Sequence, residues 1–84
     1  MTLKDLFTSK AHYIVEIPLN HGFHLFIEGL DENGCTNTVE EFDINNVKNF
    51  CIELIDNNGE VVEEIDRLWV TLDTTVEKLK EAIK

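Results

Sequence analysis

Five side chains of this protein have the chemistry to hold a transition metal: His12, His21, His24, Cys35 and Cys51. Imidazole nitrogen and thiolate sulfur suit zinc, so zinc is the ion such a set would take. His21 and His24 lie on either side of a tight loop, where their side chains can converge, and they form the first candidate pair. His12 with Cys35, at the opposite end of the same hairpin, is the alternative. A straight strand of about seven residues spans more than ~20 Å, so one ion cannot take both His21 and Cys35. Cys51 falls on an apolar stripe and reads more simply as a small core residue than as a ligand. A Cys35–Cys51 disulfide is a further pairing, but two cysteines make no framework and a cytosolic chain keeps them reduced. A metal would suit a core this small, because it acts as a staple.

No other motif promises catalysis. The sequence has no Gly-rich phosphate loop, no nucleophile elbow and no helical pair of metal-binding histidines. The chain is therefore expected not to be an enzyme.

Charge is the loudest feature. Seventeen acidic residues face seven basic ones, a formal net charge of −10 over 84 residues. From Glu28 to Asp66 there are twelve acids and one base, Lys48. Such a surface repels nucleic acid and anionic lipid, and it speeds encounter with basic protein surfaces. The candidate partner-binding carboxylates are Asp31, Glu32, Glu40, Glu41, Asp43, Glu60, Glu63 and Glu64. Phe26 is the candidate apolar anchor among them, set on the outer side of its strand beside Glu16 and Glu28, with His24 nearby. The competing reading is that residues 2–9 cover it.

The elements that must position these residues follow from periodicity. Residues 2–9 read as a short helix or arm with Leu3, Leu6 and Phe7 on one side. From Ala11 the period becomes two: Tyr13, Val15, Ile17 and Leu19, then Phe23, Leu25 and Ile27. A three-residue loop at Asn20-His21-Gly22 sets Ile17 opposite Leu25 and Val15 opposite Ile27, with Gly22 where a left-handed residue is wanted. Pro18 predicts an edge position for the first strand. Asp31-Glu32-Asn33-Gly34 marks a turn, and a third strand is expected over 36–44 through Val39, Phe42 and Ile44. Asn45-Asn46 would cap a helix built on Val47, Phe50, Cys51, Leu54 and Ile55, ending at Asn57-Asn58-Gly59.

The strongest helical spacing comes last. Val62, Ile65, Trp69, Leu72, Val76, Leu79 and Ile83 recur at three and four, which predicts one long helix of about 35 Å. Glu63 and Arg67 would pair along it. The strand-favouring run Leu68–Leu72 and a capping box at Thr74–Glu77 point instead to a break and a shorter final helix. The expected architecture is a single α+β domain: a small antiparallel sheet of about three strands packed against two helices, the C-terminal one long.

Small size, one domain and the acidic runs Asp31-Glu32, Glu40-Glu41-Asp43 and Glu60 to Asp66, with an Asn-, Lys- and Ile-rich composition, give the chain a general character. In that character it resembles phage-encoded anti-CRISPR inhibitors of the type II effector nuclease, a group without a common motif. The resemblance implies a cytoplasmic protein of the infected host cell that stops DNA from reaching a basic nuclease. It carries over no individual residue. Two other readings fit the composition. One is an immunity protein or antitoxin for a basic toxin. The other is a small structural protein that dimerises through the 62–83 seam. A monomer is favoured over that coiled-coil dimer, because Val61 and Leu68 widen the seam beyond a two-position stripe. No apolar run reaches the ~20 residues of a membrane span, and the first residues lack a signal peptide's features, so a cytoplasmic place is expected.

Overall fold

Val15 and Ile17 alternate with Glu16, and Leu25 and Ile27 alternate with Phe26 and Glu28. In the computed structural model these stretches form two antiparallel strands, β1 (Ile14–Pro18) and β2 (His24–Leu30). The structure describes residues 1–37, 41–66 and 68–83. The register is the expected one: Val15 pairs with Ile27 and Ile17 with Leu25. The Leu19 N–H donates to the Phe23 carbonyl across the Asn20–Gly22 turn. Gly22 has φ +81°, and a Cβ there would meet the Asn57 Cβ at 2.8 Å, so the loop needs glycine on both counts. β1 lies at the sheet edge, where Pro18 costs no ladder bond.

Residues expected as a helix over 47–55 form strand β3 (Asn49–Ile55) instead. Phe50, Ile52 and Leu54 pack with the core, while Cys51, Glu53 and Ile55 take the other side of the strand. A central strand with apolar residues on both sides hides its period of two. Cys51 and Ile55 then imitate a helical stripe. The strand expected over 36–44 is not formed by its described residues. Thr36 makes one bridge with Leu30, and the Asp43 carboxylate accepts from Asn45 N–H to cap a 3-10 turn at Ile44–Asn46. Val39 lies outside the described residues. The Tyr13 hydroxyl holds this segment against β1, accepting from Asp43 N–H at 3.0 Å and from the Asn46 amide at 3.1 Å.

The long C-terminal helix is also corrected. Strand β4 (Val61–Glu64) pairs with β3, and the final helix, α2, spans only Val76–Ile83. On the supposed helical line Ile65 and Leu79 are buried, but Val62 is 54% and Trp69 91% exposed. The real pattern between them is strand-like: Leu68, Val70 and Leu72 pack on the core at every second residue. α2 starts one residue later than the Thr74 box predicts. Thr75 Oγ1 accepts from Lys78 N–H, while Thr74 Oγ1 accepts from Thr71 N–H. A dimer seam along 62–83 therefore has no continuous helix to carry it. The expected Glu63–Arg67 pair lies outside the described residues, because Arg67 does.

The result is an α+β fold with four strands rather than three, in the order β1-β2-β3-β4, and with a short final helix. Each strand meets the next in sequence, the simplest antiparallel topology. The turn after β2 and the turn between β3 and β4 share one design. In Asp31–Cys35 and in Asp56–Glu60 the aspartate Oδ1 accepts from the N–H groups two and four residues on. These are the local side-chain bonds that make Asp a turn residue. The first helix, α1 (Leu3–Lys10), opens with a reciprocal Thr2–Asp5 capping box. The Thr2 backbone N–H, and then its hydroxyl, hold the Asp5 carboxyl below the usual aspartate range. That support is present above the ordinary aspartate value and fades as acid carries the pH down through the lowered one.

Both helices lie on the same side of the sheet. Leu3 and Phe7 of α1 and Leu79 of α2 join Val15, Ile17, Leu25, Ile27, Ile52 and Ile65 in one buried cluster. The two helices are tied at their starts, where Leu3 N–H donates to the Thr74 carbonyl and Val76 N–H to the Met1 carbonyl, each at 2.9 Å. Among the described residues, the opposite side of the sheet receives no helix.

Candidate functional site

Strand alternation sends Glu16 of β1 and Phe26 of β2 away from the core, and the pairing aligns them with Glu53 of β3 and Glu64 of β4. Glu16 pairs with Phe26, Phe26 with Glu53, and Glu53 with Glu64, so one row crosses all four strands. A neighbouring row runs Ile14–Glu28–Cys51, and on the other flank Pro18–His24–Ile55–Val61. These rows hold four glutamates and no lysine or arginine. Phe26 is half-buried between its neighbours, and α1 packs in the core on the far side, so residues 2–9 do not cover it.

Cys51 reports on the field of this face. Burial pushes its thiol pKa up, and Glu53, Glu64 and Glu28 push it further, in that order. Three carboxylates therefore bear on one half-buried thiol. Cys51 and the exposed Cys35 are both free. With a thiol-reactive disulfide reagent at neutral pH, Cys35 is expected to react first and Cys51 several-fold more slowly, because the thiolate is the nucleophile. Changing Glu53→Gln and Glu64→Gln together should speed Cys51 in a Cys35→Ser background. Equal rates in the parent protein would contradict this picture of the face.

The residues expected at a partner site scatter over the fold. Glu64 joins the Phe26 row, and Glu63 sits on the other side of β4 opposite Leu54. Asp31 and Asp43 spend their carboxylates on turn N–H groups. Glu32, Glu41 and Glu60 are exposed on loops. Glu40 lies outside the described residues. Sequence reasoning missed Glu53 and the placing of Cys51 on this face. Reading 49–55 as a strand would have found both.

The metal candidates stand at different places in the fold. His21 is exposed in the loop, and His24 stands in the Pro18–Ile55 row. His12 Nδ1 accepts from Ile14 N–H, which occupies one of its two nitrogens. Among the described residues no group of three or more His, Cys, Asp or Glu side chains is placed to hold a metal ion. Among them, too, no helix is long and apolar enough to cross a membrane.

No protein-family model, curated protein or solved structure matches this chain.

Proposed function

We propose that this protein is a stoichiometric inhibitor, not an enzyme, that docks its uncovered sheet face on the basic surface of a nucleic-acid-handling protein. A type II CRISPR effector nuclease is the partner its anti-CRISPR-like character suggests. The carboxylates meet lysine and arginine rows that otherwise hold phosphates, and DNA loading stops. One observation carries the reading: Glu53 stands directly opposite Glu64, one strand from Phe26. Like charges directly opposed across a strand pair destabilise the sheet that holds them. The fold gains nothing from this pair, whereas a basic partner turns the repulsion into attraction around an aromatic anchor.

The test is capture of DNA- or RNA-binding proteins from host lysate, followed by affinity measurements on the captured partner at low and high salt. Affinity is expected to fall by roughly ten-fold or more at high salt, because screening shortens the reach of these charges. Nucleic acid should compete for the same surface. Binding indifferent to both salt and nucleic acid would remove the proposal.

A further inference from the structure

Past Glu64 the chain leaves the sheet, while β3 continues on towards Asn49. Ile65 N–H still donates to the Ile52 carbonyl, and Leu68, Val70 and Leu72 then turn inward to the core. Between this departing strap and the first half of β3 lies an open groove of about 730 Å³. Its lining includes Asn49, Cys51, Glu64, Asp66, Trp69 and Asp73. Lys48 is the one base among the described lining residues.

Trp69 is the anomaly. It stands between two inward-facing residues and is itself 91% exposed. A tryptophan side chain buries roughly 150–250 Å² when it finds a partner, and it is among the residues that dominate interfaces. Nothing in the strap requires an aromatic there, since Leu68, Val70 and Leu72 already make its contact with the core. Three carboxylates, Glu64, Asp66 and Asp73, share the groove with it. An aromatic face flanked by acids is the chemistry that receives a guanidinium, through cation–π stacking and charge-assisted hydrogen bonds.

We propose that this groove receives an extended, arginine-bearing segment of the partner, with an arginine stacked on Trp69 and held by Glu64 and Asp66. The inference rests on the basic-partner reading and adds the docking element and the residue that reads it. The groove is continuous with the Phe26 face, because Cys51 and Glu64 belong to both. A partner seated on Phe26 therefore reaches Trp69 without leaving the surface. The acids argue against a second copy of this chain as the occupant, since copies would bring like charges together.

Trp69 is the only tryptophan in the chain, so its emission reports on this groove alone. The probe is a synthetic peptide of alternating arginine and serine, extended like a strand, set against glutamate–serine and lysine–serine counterparts. The arginine peptide is expected to change the emission in a saturable, salt-sensitive way. The lysine peptide should bind several-fold more weakly, and the glutamate peptide not at all. With a labelled arginine peptide, Trp69→Ala should lose roughly ten-fold in affinity and Trp69→Phe only part of that. Trp69 is exposed, so circular dichroism should find Trp69→Ala folded. If a captured basic partner binds with unchanged Trp69 emission, and Trp69→Ala binds it as tightly, the groove proposal fails while the sheet-face reading stands. If neither the peptide nor any basic protein binds, both fail.

Discussion

A chain carrying Glu16→Lys, Glu28→Lys, Glu53→Lys and Glu64→Lys is expected to fold and to lose its partner. Each exposed ion pair contributes about 0.2–1 kcal/mol, and reversal replaces attraction with repulsion of similar size. Four such changes amount to about 2–8 kcal/mol, roughly thirty-fold or more in affinity. Association should slow most, because steering by a charged face accounts for about ten-fold to a thousand-fold of the on-rate. Folding should survive, since the row faces away from the core and the like-charge opposition between positions 53 and 64 only changes sign. The control is reversal of Glu32, Glu41, Glu60 and Glu81, all exposed and all off these rows. It makes the same change in net charge from the parent value of −10. Surface-plasmon binding of both variants, beside Phe26→Ala, separates place from total. Phe26→Ala alone should cost about 2 kcal/mol or more, the size of an interface anchor. Equal losses in the two quadruple variants would show that bulk charge decides, and that the sheet face has no special part.

How much of this was legible in the sequence depends on how many sides of an element are apolar. β1 and β2 present one apolar side each, so alternation and the Asn20-His21-Gly22 loop fixed both strands and their register. The outward placing of Phe26 beside Glu16 followed from the same pattern. β3 is central, and Cys51 and Ile55 give it apolar residues on the outer side as well. The extra residues supplied a helical spacing that the backbone does not use. The Val62–Ile83 line failed differently. It joined three unlike pieces, an edge strand, a strap and a short helix, whose apolar residues happen to fall three or four apart. The tell was in the middle: Leu68, Val70 and Leu72 also satisfy a period of two, and strand-favouring residues fill the run. Glu60, Glu63 and Glu64, read as charges at a helix start, instead flank or lie in an edge strand, where charge discourages unwanted pairing. The acidic face could be seen only in part, because Glu53 and Glu64 become neighbours through a strand pairing that neither residue announces.

Replacing Phe7 with alanine is expected to be the most damaging single change to the fold. Its side chain is fully buried in the cluster that α1 and α2 close over the sheet, and its ring lies 6.2 Å from that of Phe50 at a 38° tilt. Truncating a buried phenylalanine costs about 3–5 kcal/mol, through lost burial and the cavity left behind. Whole domains have only about 5–15 kcal/mol of stability, and small ones bury less of their surface than large ones. The helix starts are tied together through Thr74 and Met1, so loosening α1 also loosens the strap and the single buried anchor of α2, Leu79. At about 4–8 °C per kcal/mol for a domain of this size, the melting temperature should drop by at least about 12 °C. Calorimetry of Phe7→Ala, Phe7→Leu and Trp69→Ala measures this directly. Phe7→Leu should recover much of the loss, and Trp69→Ala should melt close to the parent. The proposed docking residues lie on the other side of the sheet, so Phe7→Ala should weaken binding only in proportion to the unfolded fraction. At temperatures where it is still folded, it should bind as the parent does. A melting temperature within a few degrees of the parent would mean that α1 does not close the core, and that the uncovered face is not the only side of the sheet open to a partner.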